Sequence, residues 1–103
     1  MDAAKLRALA DGTRREILTL LWEEEHTAGD IANRFDMSRP AISQHLRILK
    51  RADLVTDRAA GTRRLYAVNP DAIESLRTYF DRFWSRALAA FKGRIEEKSK
   101  EER

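Results

Sequence analysis

Between Ser38 and Val68 the hydrophobic period of the chain changes from that of a helix to that of a strand, and no other feature limits the possible folds so tightly. The first half, "SRPAISQHLRILKRADLV", opens on Ser38, a good helix N-cap, and puts Pro40 in the first turn, where its missing N–H does no harm. At about 100° per residue, Leu46 and Leu49 fall within about 40° of Ile42, while Pro40, Gln44, Arg47 and Arg51 gather near 180° and Ser43 near 100°. One face can be core. The opposite face is polar and basic, and folding does not need it. After "ADLV" come "LVTDR" and "RRLYAV", short alternating runs joined by "AAGT", in which Gly61 can take the positive φ of a hairpin turn. Arg58, Arg63 and Arg64 lie close to that turn and make the hairpin basic.

Three shorter helices are expected before this stretch. "AAKLRALAD" places Leu6 and Leu9 on one side and ends near Gly12. "DGTRREILTLLWEEEH" offers Asp11 or Thr13 as N-cap, the latter in capping-box spacing with Glu16. "TAGDIANRFDM" repeats the signature with Thr27 and Asp30, followed by Ile31, Ala32 and Phe35. After the hairpin, Asn69 caps a helix with Pro70 at its first position, unbroken until Gly93. In it Ile73, Leu76, Phe80, Phe83 and Ala87 repeat at alternating three and four, and Trp84, Leu88, Phe91 and Ile95 widen the stripe. Such a helix is on the order of 40 Å long, more apolar length than a small domain covers, which calls for a partner helix. "EEKSKEER" reads as a fraying charged tail, so residues 1–98 form one domain and 99–103 an appendix.

With 103 residues there is room for one domain with a modest core. The net charge is only +3, but its distribution is uneven. From Ser38 to Arg64 the chain carries Arg39, Arg47, Lys50, Arg51, Arg58, Arg63 and Arg64 against Asp53 and Asp57, which leaves the remainder slightly negative. A positive block in an otherwise acidic chain suits a polyanion, although a solvated charged surface gives the same count. Cysteine is absent, which excludes disulfides and thiolate metal sites. Neither a membrane span nor a signal-peptide core is present, so a cytoplasmic protein is expected.

Helix, helix, two short helices joined by a tight turn, hairpin, long helix: this mainly α order is that of a winged helix-turn-helix domain. In that arrangement the second helix of the turn enters the major groove of double-stranded DNA and the hairpin reaches along the flank. Gln44 can then pair with a base edge and Arg47 with guanine or phosphate, while Ser38, Arg39 and Ser43 meet phosphates or bases near the helix start. Arg63 and Arg64 alternate in direction, so at most one of them need face DNA.

"LADGTRREIL", "TAGDIA", "SRPAISQHLRILKRADLV" and "GTRRLYAV" together resemble the ArsR-type bacterial transcriptional repressors over about two thirds of the chain, and "YFDRFW" in the last helix resembles a metal-free branch of that family. The resemblance implies a homodimer built from the first and last helices, with Leu6, Leu9, Leu76, Phe80, Phe83, Trp84, Ala87 and Phe91 at the interface. It also implies an inverted-repeat operator and control of the protein's own operon. Where other members have Pro after the Asp near the second helix, this chain has Gly12. Relatives that sense metals use cysteines on the third helix or Asp and His on the last. "GDIANRFD" has no Cys and the long helix no His, so no metal or other cofactor carries over.

The two histidines are His26, beside "EEE", and His45, at the border of the core face, where it packs on the third helix, bonds a backbone group or contacts DNA. The aromatic stripe reads as dimer core; a cavity among Tyr79, Phe80, Phe83 and Trp84 for an apolar effector is the alternative, and the sequence names no effector. Three rivals stand beside sequence-specific binding: a winged-helix module that docks protein, non-specific nucleoid binding, and an enzyme. The last lacks a Cys nucleophile, a Ser-His-acid context and a phosphate-cradling Gly loop.

Overall fold

The computed structural model describes residues 2–101, and its elements run α1 Asp2–Leu9, α2 Gly12–Glu23, α3 Ala28–Phe35, α4 Arg39–Arg51, β1 Val55–Ala60, β2 Arg63–Val68 and α5 Pro70–Glu101. This is the expected order of the winged helix-turn-helix. Each of the three internal helices starts on a side chain that accepts from the backbone. Asp11 takes the N–H of Arg14 at 3.1 Å, Thr27 that of Asp30 at 3.1 Å and Ser38 that of Ala41 at 3.3 Å. Of the two candidates for the second helix, Asp11 is therefore the cap, and its carboxyl is held below its ordinary pKa, chiefly by that Arg14 N–H. Asp36 adopts the left-handed conformation that ends α3, and Met37 N–H closes the turn onto Ala32 O at 3.1 Å.

The two strands pair antiparallel from Val55 opposite Val68 to Ala60 opposite Arg63, leaving Gly61 and Thr62 as a two-residue turn. The connection is shorter than "AAGT" because Ala59 and Ala60 continue the ladder, and Gly61 supplies the positive φ of 65°. A single bridge joins this two-stranded sheet to the α2–α3 connection: His26 exchanges both backbone hydrogen bonds with Tyr66, at 3.2 and 2.9 Å. The α2–α3 connection is thereby stitched to the wing.

The core lies where α2, α3 and α4 converge under the sheet. Ile17, Ile31, Ile42, Leu46, Leu49, Leu54 and Val55 are its fully buried large side chains. Burial of each contributes about 1.5–3 kcal/mol, and three of them come from the apolar face of α4 alone. The first two turns of α5 add Ala72 and Leu76 to this core. Leu76 therefore belongs to the protomer's own interior, in contrast to the interface position expected for it, because Asn69 docks the helix start against Asp53 O (2.9 Å) and turns that face inward.

Beyond Leu76, α5 leaves the domain. It continues through Gly93 to Glu101, 32 residues in all, so the charged segment expected to fray is helical over its described part. One glycine costs a helix about 1 kcal/mol, too little to break a run flanked by good helix formers. The molecule is 72 Å long with a radius of gyration of 19.2 Å, against about 13 Å for a compact chain of 100 residues.

Candidate nucleic-acid interface

The face of α4 opposite Ile42 is solvent-exposed as the periodicity requires. Ser38, Arg39, Pro40, Gln44 and Arg47 are open to solvent and Ser43 is half-buried. Gln44 Oε1 accepts from Arg47 Nη1 at 2.9 Å, which aligns the two side chains on one ridge with their remaining donors outward. Nothing on this ridge supports the core.

At the start of α4 a cleft of about 660 Å³ opens between the first turn of α3 and the wing, with Arg39, Ser43, Arg63 and Tyr66 on its walls. The Arg39 guanidinium lies along the backbone of Gly29, where a side-chain methyl would touch it at 3.7 Å. Arg39 and Arg63 put two guanidinium groups at this end of α4, with the Asp30 carboxylate on the α3 side of the same cleft.

The three wing arginines differ in their partners. Arg58 forms a two-pronged pair with Glu25 on the α2–α3 connection, and Arg64 Nε lies 2.7 Å from Asp57. Asp57 also receives Lys50 Nζ of α4 at 2.8 Å. Hydrogen bonds from Lys50 first and Arg64 second hold the Asp57 carboxyl below the usual carboxylate range. Arg63, at the turn, has no carboxylate partner among the described residues. Two of the three expected contact residues are thus paired within the fold, and Arg63 is the wing cation without such a pair among the described residues. The Asp57–Arg64 pair was readable from the hairpin register, since Asp57 faces Tyr66 and Arg64 is its diagonal neighbour. Arg58–Glu25, 33 positions apart, carries no local signal.

His45 is half-buried and pairs with a side chain of α2. Its Nδ1 accepts from Arg14 Nη1 at 3.4 Å, which places the ring proton on Nε2, because a guanidinium can only donate. Arg14 also donates to Ala8 O at 2.6 Å and Arg7 O at 3.4 Å, so one side chain ties the end of α1 to the reading helix. His26 is buried, hydrogen-bonded through Nδ1 to Asp30, with Glu24 3.6 Å from its Nε2. The His26 hydrogen bond is the main cause of a lowered Asp30 pKa. Among the described residues no three His, Asp or Glu side chains converge as a metal site.

Along α5, Phe80, Phe83, Trp84, Leu88, Phe91 and Ile95 are exposed, from 40% at Phe80 to 63% at Leu88. Tyr79 and Phe83 border an open groove with Arg82, Arg86 and Ala87, without Phe80 or Trp84. In the single chain this is a surface groove, in place of the enclosed effector cavity considered from the sequence. Leu6 and Leu9 are half-buried against the core, with their outer edges on the α1 surface.

A domain with one exposed reading helix, a braced basic wing and a projecting apolar helix is a winged helix-turn-helix transcriptional regulator. Residues 11–57, α2 through the start of the wing, match the pattern of the bacterial regulatory protein, arsR family. The HTH-type transcriptional regulator Rv2034 of Mycobacterium tuberculosis is 52% identical over 85 residues, covering 82% of this chain and 79% of its own. The transcriptional repressor SdpR of Bacillus subtilis is 44% identical over 68 residues, covering 66% and 76%. Among solved structures, a homodimeric winged helix-turn-helix DNA-binding domain from Mycobacterium bovis, Mb0332, superimposes with a TM-score of 0.66 at 32% identity, covering 77% of each chain. The chain belongs to the ArsR family of bacterial transcriptional regulators, which are DNA-binding proteins and not enzymes. No helix among the described residues is long and apolar enough to cross a membrane.

Proposed function

We propose that the protein is a homodimeric repressor that binds an inverted-repeat operator in double-stranded DNA and controls its own operon in the cytoplasm. The observation that carries this reading is the exposed ridge of α4. Ser38, Arg39, Pro40, Ser43, Gln44 and Arg47 have no role in the core, and the helix that bears them is locked to the wing through Lys50–Asp57. Gln44 and Arg47 read base edges; Arg39 and Arg63 hold phosphates on the α3 side. Arg58 and Arg64, committed to carboxylates, keep the wing at the angle that lets Arg63 reach.

Dimerisation follows from α5. An apolar stripe from Phe80 to Ile95, exposed in the single chain, has to be covered, and the homodimeric state of the relative from M. bovis supports a second copy as the cover. We assign Leu6, Leu9, Phe80, Phe83, Trp84, Ala87 and Phe91 to that interface, with helices from both ends of the single domain contributing. Two reading helices related by a two-fold axis then engage half-sites about one helical turn, or roughly 34 Å, apart. Control by the protein's own concentration is the simplest regime, since the sequence lacks the Cys and His ligands of the metal-sensing relatives.

The deciding experiment is fluorescence anisotropy with a labelled duplex from upstream of the protein's own gene beside a scrambled duplex at equal salt. A preference of about a thousandfold or more for the native duplex is expected. Equal binding removes the specific-repressor reading, and no binding transfers the domain to the protein-docking class. A change of DNA affinity on adding stoichiometric zinc would overturn control by concentration alone.

A further inference from the structure

The DNA reading gives a role to the start and middle of α4, and it leaves two exposed arginines at the other end unused. Arg51, in the last turn, lies on the same ridge as Gln44 and Arg47, displaced by one helical turn from Arg47. Arg7, in the last turn of α1, stands across a cleft of about 280 Å³ from it, over a floor that includes Ala8, Ile48 and Ala52. Both side chains are exposed, and neither has a carboxylate partner among the described residues, unlike Arg58 and Arg64 on the wing. Arg7 is also held in place. Arg14, buried beneath it with 14% of its side chain accessible, donates to Arg7 O and Ala8 O and reaches His45 on α4.

From these observations we infer that Arg7 and Arg51 form a second phosphate clamp, so that the DNA footprint includes the end of α1. The inference rests on the DNA-binding reading proposed above. The geometry follows from the length of α4. Its 13 residues separate Arg39 from Arg51 by about 18 Å of helix, whereas the major groove is about 12 Å wide, so a helix seated there brings both of its ends to the sugar–phosphate walls. Arg39 and Arg63 serve one wall and Arg51 with Arg7 the other. Three alanines, Ala4, Ala8 and Ala52, share the lining with Ile48 and Arg14 and leave the space between the two guanidinium groups open to a phosphodiester. Arg14 is the positioning residue, because it fixes the spacing between α1 and α4 on which a shared phosphate depends. A cation in a last helical turn also favours the helix macrodipole, but that role changes thermal stability and leaves the salt dependence of DNA binding alone.

The test is the salt dependence of binding to the upstream and scrambled duplexes for the full-length protein and the double variants R7Q/R51Q and R7K/R51K. Each lost phosphate contact lowers the slope of log K against log salt by about 0.9, and the shared clamp holds one phosphate in each protomer, so the Gln variant is expected to lose about two in the dimer. The loss is the same on both duplexes, because phosphates carry no sequence, and the Lys variant restores the slope. A wild-type slope in the Gln variant, or a Lys variant no better than the Gln one, overturns the clamp while leaving the repressor reading intact. Failure of the wild-type protein to bind either duplex overturns the DNA reading itself, and the clamp with it.

Discussion

Arg58 and Glu25 face each other across the junction between the wing and the α2–α3 connection, with Nε to Oε2 at 2.9 Å and Nη2 to Oε1 at 3.4 Å. A guanidinium satisfied by a carboxylate offers DNA little net charge, whereas Arg63, five positions on, keeps its whole charge. On the wing, Arg58 and Arg64 are paired with carboxylates, and Arg63 has no such partner among the described residues.

That difference has a direct measure. Arg63→Ala is expected to weaken binding to any duplex and to lower the salt slope by about two in the dimer, while Arg58→Ala leaves the slope nearly unchanged. Because both members of the Arg58–Glu25 pair are more than a third exposed, its removal changes stability by less than about 1 kcal/mol, read from urea denaturation. Equal slopes for the two variants would show that the ion pair opens on DNA.

On α4 the two faces should separate cleanly. Gln44→Ala and Arg47→Ala are each expected to cost about 1–3 kcal/mol of operator binding with unfolding curves unchanged. Ile42→Ala, on the buried face, is expected to cost about 2–5 kcal/mol of folding stability. Anisotropy and denaturation on the same preparations test both.

The Asp57 carboxyl predicts a pH dependence with a defined sign. Lys50 and Arg64 depress its pKa in the folded protein, so its stabilising contribution is complete above the unfolded-chain value of about 3.9 and is lost as pH falls through the lower folded value. Wild type should exceed Asp57→Asn in stability at pH 7, and the gap should close below about pH 4. A gap that stays constant down to acid pH would show that the carboxylate charge is not the source of the stability.

Leu76 and Trp84, eight residues apart on one helix, should behave oppositely. Leu76→Ala is expected to lower stability by about 2–5 kcal/mol, because it opens a cavity in the protomer core. Trp84→Asp leaves the protomer folded and shifts sedimentation from dimer to monomer, with DNA affinity falling alongside. Persistence of the dimer in Trp84→Asp would move the interface off this face.

The sequence made legible whatever depends on period and on short-range capping. The two faces of α4, the hairpin around Gly61, the caps at Thr27, Ser38 and Asn69 and the apolar excess of α5 are all local properties. It left open whatever depends on the distance between elements. Asp11 and Thr13 satisfy the same cap rule, and only the packed helix chooses between them. Leu76 and Phe80 share one stripe, yet the first is interior and the second surface, because the docking of Asn69 onto Asp53 decides where the domain stops covering the helix. Arg14 links α1 and α4 through partners 6, 7 and 31 positions away, which no local pattern marks.

The His26–Tyr66 ladder has a mechanical meaning. The linker between α2 and α3 is hydrogen-bonded into the wing, and Lys50 and Arg64 share Asp57, so the hairpin and α4 are tied to each other and to that linker. In the homodimer proposed above each protomer would then act as one unit, and the quantity left to vary would be the gap between two such units, so that fit to DNA becomes a matter of pitch and not of local adjustment.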